Sequence, residues 1–476
     1  MSTVKLTFSR YRQMRLYSTK EKMKVINDVN ELLSNKNLKH KEHPGIMKPR
    51  LVDQPSWLQN TVLNVLHEKN ISPKVIYNCS RRLGNYLHNR YPPAEKEDIR
   101  LKMEEVKKKL YGNEMPNLNN NLIFENPNAQ RLLKCLVYNW APIQYDTYTS
   151  LAYLTNRSMP EYSALYKIFN EIVNRDKNFT PQTLFDFGSG TGTVCNKSNF
   201  ARAASQFWVD TIKEYYCVDI SKDMNELSEY LIKRAVPKIK QKYIFYRQFF
   251  PASPIPTYDI VVSAYSLLEL PNQISRLQTI LKLWQKTEQY LIIIEQGTNA
   301  GFKVINEARD FILHSKKARN AHVFSPCPHD ETCPIHIKND HPCNFEIAYL
   351  TLHISEKSKY KRENYSYIVL KKGKRPEDDL KWPRIVREVL KRSKHCICRM
   401  CTSSGKLEEQ IFTTWKNGND INATFCICRN TYRCARNSEL GDRLPFEIEE
   451  IKEENEAMEQ EEIKIKEEID EEEKFK

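Results

Sequence analysis

The ten residues Thr183-Leu-Phe-Asp-Phe-Gly-Ser-Gly-Thr-Gly192 constrain this chain more than any other stretch. Leu184, Phe185 and Phe187 surround Asp186 as the apolar residues of a short buried strand, and three glycines at alternate positions follow. Glycine lets a backbone turn tightly and approach a ligand closely, so the strand and its glycines read as a cofactor loop ahead of a helix. A second run, Tyr215-Tyr-Cys-Val-Asp219, ends in a carboxylate placed to accept hydrogen bonds from a ribose diol. Strand signals at 183–187, 214–218, 242–249, 258–264 and 290–295 alternate with helical ones. That alternation predicts a parallel, doubly wound sheet.

The compressed GxGxG spacing of Gly188, Gly190 and Gly192 lacks the GxGxxG helix-capping step of a pyrophosphate site, and suits S-adenosylmethionine better than a dinucleotide. Asp186 would approach the methionine portion or hold the loop backbone, and Asp219 the ribose. The expected fold is therefore α/β, a Rossmann-like class I methyltransferase fold. Enzymes that methylate amino groups carry an Asp/Asn-Pro-Pro-aromatic clamp after the fourth strand. Here that place reads Ser263-Ala-Tyr-Ser-Leu-Leu-Glu-Leu-Pro271, so no catalytic residue is assigned. A cysteine nucleophile for cytosine chemistry is equally absent from that strand end.

Charge narrows the partners. The formal net charge is +14, but Phe446–Lys476 holds fifteen acidic and five basic residues, net −10, which leaves +24 on residues 1–445. A body this basic suits a polyanion, RNA or DNA. The first twenty residues carry Lys5, Arg10, Arg12, Arg15 and Lys20 with no acid, the composition of a mitochondrial presequence, and Arg15-Leu-Tyr-Ser18 places cleavage after Tyr17. No apolar run approaches the roughly 20 residues a bilayer crossing needs.

Thirteen cysteines in a chain read as non-secreted point to metal ligands before disulfides. Cys327, Cys333 and Cys343 lie in a proline-stiffened passage, and His395-Cys-Ile-Cys-Arg-Met-Cys401 offers a fourth thiolate. The spacing fits neither a zinc ribbon nor a ferredoxin run, so zinc and an iron–sulfur cluster both stand. His329, His336 and His341 are expected beside the metal or at the surface. Cys426, Cys428 and Cys434 are expected as free structural thiols, and Cys79, Cys135, Cys195 and Cys217 as small core residues.

The chain then divides into a presequence (1–17), a basic lead-in (18–55), an N-terminal helical region (56–179), the Rossmann-like core (180–300), a C-terminal part with the metal-binding cysteine insertion and last strands (301–445), and an acidic tail expected to be disordered (446–476). Helices are expected over Glu95–Leu110, Ala129–Asn139 and Pro160–Asn174, with late strands at Tyr365–Leu370 and Glu409–Thr414.

The segments Phe185–Gly192, Val261–Pro271, Glu295–Gly301, Cys327-Pro-His-Asp-Glu-Thr-Cys-Pro334, Tyr432–Pro445 and, upstream, Arg157–Leu165 resemble the methyltransferase-like protein 17 family of mitochondrial ribosome small-subunit assembly factors. The resemblance spans roughly 125–445. It implies a mitochondrial matrix protein that binds small-subunit rRNA, works with the small ribosomal subunit and other assembly factors, and supports mitochondrial translation. It also implies a [4Fe-4S] cluster on Cys327, Cys333, Cys343 and, because Cys401-Thr-Ser-Ser-Gly405 looks like the family's segment, Cys401, with Cys396 and Cys398 as alternatives. An active S-adenosylmethionine-dependent rRNA methyltransferase and a zinc-stabilised nucleic-acid module are the rival expectations.

Overall fold

The computed structural model describes residues 21–450 except 54–55, 113–125, 138–139, 193–202, 209, 236–242, 254, 316–317, 319, 339, 358 and 414–428. The expected presequence, most of the asparagine-rich loop, Cys195, Cys426, Cys428 and nearly all of the acidic tail lie outside the described residues. The chain forms two units, one of Met47–Val386 with Cys401–Leu407, the other of Met1–Ile46, Arg387–Met400 and Glu408–Lys476.

The larger unit is built on one sheet. Its parallel strands are β1 (Thr183–Phe187), β2 (Glu214–Val218), β3 (Ile244–Arg247), β4 (Tyr258–Ala264) and β5 (Thr287–Gln296), in spatial order β3-β2-β1-β4-β5. The sequence places β1, β2 and β4 at these bounds, because each is a short run of aromatic and β-branched residues that packs on both faces. Further along come β6 (Ala321–Ser325), β7 (Phe345–Leu350) and the long β8 (Tyr360–Lys372). β8 runs antiparallel to β5, and its other edge is shared: β7 pairs with its first half and β6 with its last. Leu51–Val52, inside the expected lead-in, adds a short parallel strand on β7.

Chain order reverses between β1 and β4, and the crevice beyond their carboxyl ends is where such sheets bind ligands. One face of the sheet presents Phe185, Val261, Leu291 and Ile293 to Ile280 and Trp284 of the helix Gln273–Lys286 and to Ile305 and Ala308 of the helix Asn299–His314.

The N-terminal helices belong to this unit. Thr147–Arg175 is a single helix that runs through Pro160, where the sequence predicts a start. A mid-helix proline removes one hydrogen bond, but residues 157–165 are all buried, so packing on both sides outweighs the loss. Asp146 caps this helix, accepting from Thr149 N at 2.7 Å.

In the smaller unit, Glu21–Val25 pairs antiparallel with Phe446–Glu450, so the first five residues of the expected acidic tail are a strand. Met23 and Val25 are buried while Lys24 is exposed and stands opposite Glu447, an alternation and a cross-strand charge pair that favour pairing over disorder. Helices Asn27–Ser34 and Arg429–Asn437 belong to it, together with Leu390–Lys391 and the expected late strand, observed as Leu407–Thr413, both paired with His395–Cys401; Cys401 and Leu407 are counted in the larger unit. Gly45 lies where a Cβ would come within 1.8 Å of Arg443 O, and Arg443 N donates to Gly45 O at 2.8 Å. Such an approach excludes any side chain at residue 45.

Candidate functional site

The glycine loop leaves β1 with Gly188 at φ +69° and Gly190 at φ +50°, left-handed values that residues with a Cβ adopt at a cost. Gly188 also needs its missing side chain, since a Cβ would fall 2.4 Å from Ser266 Cβ. Among the described residues, a Cβ at Gly190 would meet only Gly188 O at 3.9 Å. Asp219, just past β2, closes onto this loop: its Oδ2 accepts from Gly190 N at 2.8 Å and its Oδ1 from Ser221 N at 2.9 Å. Burial pushes the Asp219 carboxyl up, and those two amides pull it back down. Asp186 is buried within β1. Ser189 and Thr191 hydroxyls are buried in the loop with no partner among the described residues.

The helical region reaches this rim. Ser221 Oγ donates to Tyr145 O at 2.7 Å, and Trp140 Nε1 to Leu268 O at 3.2 Å. Arg90, almost wholly buried, bonds Glu269 at 3.0 Å and Ala141 O at 2.9 Å, with Trp140's ring 5.3 Å from its guanidinium. Glu269 is pushed up by burial and held down by Arg90. The Glu269 charge is thus taken up within the protein by Arg90.

After β4 the chain spends its polar atoms on itself. Ser263 and Ser266 hydroxyls pair at 2.7 Å, Ser266 Oγ donates to Phe187 O at 3.3 Å, and the amides of Leu267 and Leu268 both donate to the buried Glu295 at 2.8 and 3.3 Å. Tyr265, at φ +57°, sits under the Arg157 guanidinium at 4.9 Å, its hydroxyl buried and without a partner among the described residues. The stretch that would hold a methyl acceptor is thus an internal brace of the sheet.

The cysteines separate into two groups. Cys333 and Cys401 are buried in one apolar cluster with Phe302, Ile335 and Val386, and Cys343 packs against it. Burial raises the Cys401 thiol well above its ordinary value, and the neighbouring Cys327, Cys343 and Cys333 raise it further. Cys333 is pushed up to about 11 by burial and by Cys327. Arg309, nearly inaccessible, faces Cys327 and Cys333, and its charge is favoured by both. Gly405, at φ +75°, turns the chain after Cys401, and a Cβ there would meet Glu331 at 3.0 Å. Among the described residues, no group of three or more His, Cys, Asp or Glu is arranged to hold a metal ion.

His329 is buried, with Nε2 3.1 Å from Cys401 Sγ, while His336 is half-buried near Phe302 and His341 is exposed. Cys396 and Cys398 lie on the buried face of the strand His395–Cys401 in the smaller unit, where Cys398 Sγ reaches Ala435 O at 4.0 Å. The alternating burial of that strand was present in His395-Cys-Ile-Cys-Arg-Met-Cys401, but the density of metal-type ligands hid it. Cys434 and Cys217 are buried, Cys79 is half-buried near the Tyr148 hydroxyl, and Cys135 is exposed on its helix rather than a core residue.

The family described as mitochondrial small ribosomal subunit Rsm22 matches residues 147–445, from the start of the long helix through the glycine loop to the end of the smaller unit's turn before Phe446. The chain belongs to the Rsm22 family. Among relatives, it is 36% identical to the human mitochondrial ribosome assembly protein METTL17 over 85% of this chain and 86% of that one. It is 29% identical to an Rsm22-cox11 tandem protein of Schizosaccharomyces pombe over 62% of this chain and 43% of that one, and 22% identical to the mitochondrial ribosome assembly protein RSM22 of Saccharomyces cerevisiae over 41% and 45%. A solved magnesium protoporphyrin IX methyltransferase from Synechocystis PCC 6803 superposes at a TM-score of 0.29 with 13% identity over 54% of this Rsm22-family chain and 98% of that one, too loosely to carry an argument. The fold assignment rests on the strand order itself.

Proposed function

We propose that this chain is a mitochondrial matrix assembly factor of the small ribosomal subunit that binds small-subunit rRNA and is needed for mitochondrial translation. The observation that carries this reading is the extent of the relationship: the assembly protein METTL17 aligns over 85% of this chain and 86% of its own. The excess of +24 outside the acidic end supplies the attraction to RNA. The test is sedimentation of the tagged chain from mitochondrial lysate, together with translation after its depletion. Co-migration with small-subunit rRNA and a loss of mitochondrial translation are expected; migration free of rRNA with translation intact overturns the reading.

Within that role, Gly188, Gly190, Gly192, Asp186 and Asp219 are proposed to hold S-adenosylmethionine. The room at Gly190 among the described residues, with Asp219 beside it at the end of β2, supports this reading. Cys327, Cys333, Cys343 and Cys401 are proposed to hold a [4Fe-4S] cluster, with zinc as the alternative metal. The donor set fits a soft metal: Cys327, Cys333 and Cys343 all act on the buried Cys401 thiol, and thiolates gathered there can ionise together only if a cation accompanies them. Such a centre ties residues 327–343 to residue 401 and so orders the loops between them. Active methyl transfer onto rRNA is less well supported, because the segment after β4 is consumed by the fold.

A further inference from the structure

The helix Arg429–Asn437, Arg-Asn-Thr-Tyr-Arg-Cys-Ala-Arg-Asn, has no acidic residue. It buries Thr431, Cys434 and Ala435 and exposes Arg429, Arg433 and Asn437, each four residues after the last. Arg436 lies 5.9 Å from the Tyr432 ring, and its Nη1 donates to Arg392 O at 2.5 Å. That bond joins the helix to the exposed turn Lys391-Arg392-Ser393-Lys394, which Arg392 N closes by donating to His395 O at 2.9 Å. Helix and turn therefore form one cationic surface within the smaller unit.

The charges on this surface differ from those on the helix Lys96–Tyr111. On the helix Lys96–Tyr111, Arg100 pairs with Glu97 and Glu104, while Lys102 and Lys109 pair with Glu105. Arg429 and Arg433 make no ion pair with any described residue. A solubilising helix pairs its charges at i,i+3 and i,i+4. Arginines with no ion pair among the described residues are instead placed for planar, bidentate contact with phosphate. The exposed positions hold arginine and asparagine with no large apolar side chain, which excludes the apolar face a membrane-surface helix needs. Tyr432 and Arg436 add flat faces on which an unpaired base can stack.

We propose that Arg429, Arg433 and Arg436, with Lys391 and Arg392, form the surface on which this chain holds the phosphate backbone of RNA. The assignment rests on the RNA-binding reading above and names its place. The test uses the full chain and transcribed mitochondrial small-subunit rRNA, with affinity measured across a salt series. Arg429→Ala/Arg433→Ala is expected to weaken binding at least tenfold and to reduce the slope of log affinity against log salt by about 1.5, two phosphate contacts at roughly 0.7–0.9 each. Arg429→Lys/Arg433→Lys should keep the slope, which separates charge from folding, and Lys102→Ala/Lys109→Ala should leave affinity and slope unchanged. If the wild-type chain binds this RNA and the alanine pair retains its slope, the surface assignment falls alone. If the wild-type chain does not bind it, the functional reading falls as well. Preferential binding to phosphatidylserine vesicles that displaces the RNA also overturns the assignment.

Discussion

The Gly190 amide donates to Asp219 Oδ2 at 2.8 Å, so the loop after the first core strand and the acid after the second are fastened directly to each other. Two elements that the sequence marks 29 residues apart become one rim of the crevice. The carboxylate that is proposed to hold a ribose also sets the shape of the glycine turn.

This double duty sets the effect of Asp219→Ala. A hydrogen bond to a charged group contributes about 1.5–3 kcal/mol, so S-adenosylmethionine affinity should fall roughly 10- to 150-fold by titration calorimetry. An unchanged dissociation constant would remove Asp219 from the site. Gly190→Arg, at φ +50° and with room for a Cβ among the described residues, should abolish binding of the cofactor at a stability cost of about 1–2 kcal/mol. If this variant still restores mitochondrial translation in cells lacking the protein, scaffolding suffices for function.

The cysteine pocket predicts a coloured protein. Chain purified without oxygen should be brown and contain iron and acid-labile sulfide, and Cys327→Ser or Cys401→Ser should lose both. Cys396→Ser and Cys398→Ser, in the other unit, should keep them. Colourless protein that contains zinc would replace the cluster with the alternative metal, and iron retained in Cys401→Ser would exclude the proposed fourth ligand.

Glu171 on the long helix and Arg384, both buried, meet at 2.5 Å, with Ser325 Oγ and the Tyr367 hydroxyl donating to the same carboxylate at 2.7 and 3.2 Å. Arg384→Leu leaves that buried charge with only part of its support and should destabilise the larger unit by about 3–5 kcal/mol in urea unfolding. Removing both charges in Glu171→Leu/Arg384→Leu should cost less than the single change. A loss below about 1 kcal/mol for Arg384→Leu would contradict the network.

Glu295 gives a pH signature. Burial raises its carboxyl from 4.5 to about 8 against the opposing pull of the Leu267 and Leu268 amides. The folded chain therefore binds a proton between those values that the unfolded chain has released. Its contribution is full below about pH 4.5 and is lost as pH rises through 8. Stability measured from pH 5 to 8 should decline, and Glu295→Gln, which keeps an acceptor for both amides, should flatten that decline. A variant with the wild-type slope would assign the titration elsewhere.

Local pattern was enough for β1, β2 and β4, since a buried parallel strand is a short apolar run and the glycines bound the first of them. Pattern failed where long-range partners decide. Phe446–Glu450 is acidic and would be a tail, yet it is a strand because Glu21–Val25, more than 400 residues earlier, offers a lysine-bearing edge. Pro160 reads as a boundary and is an interior residue because the helix is enclosed over the following turns. Cys135 reads as core and is exposed because its helix turns that face outward.

The order of residues alone determined the glycine turn after β1 and the strands β1, β2 and β4, since each is a local pattern with a local physical cause. Only the tertiary structure decided which thiols share a pocket, that the stretch after β4 braces the sheet, and which arginines have no ion pair among the described residues. Those outcomes depend on burial and on contacts between segments far apart in the chain, and neither is written in any single stretch of it.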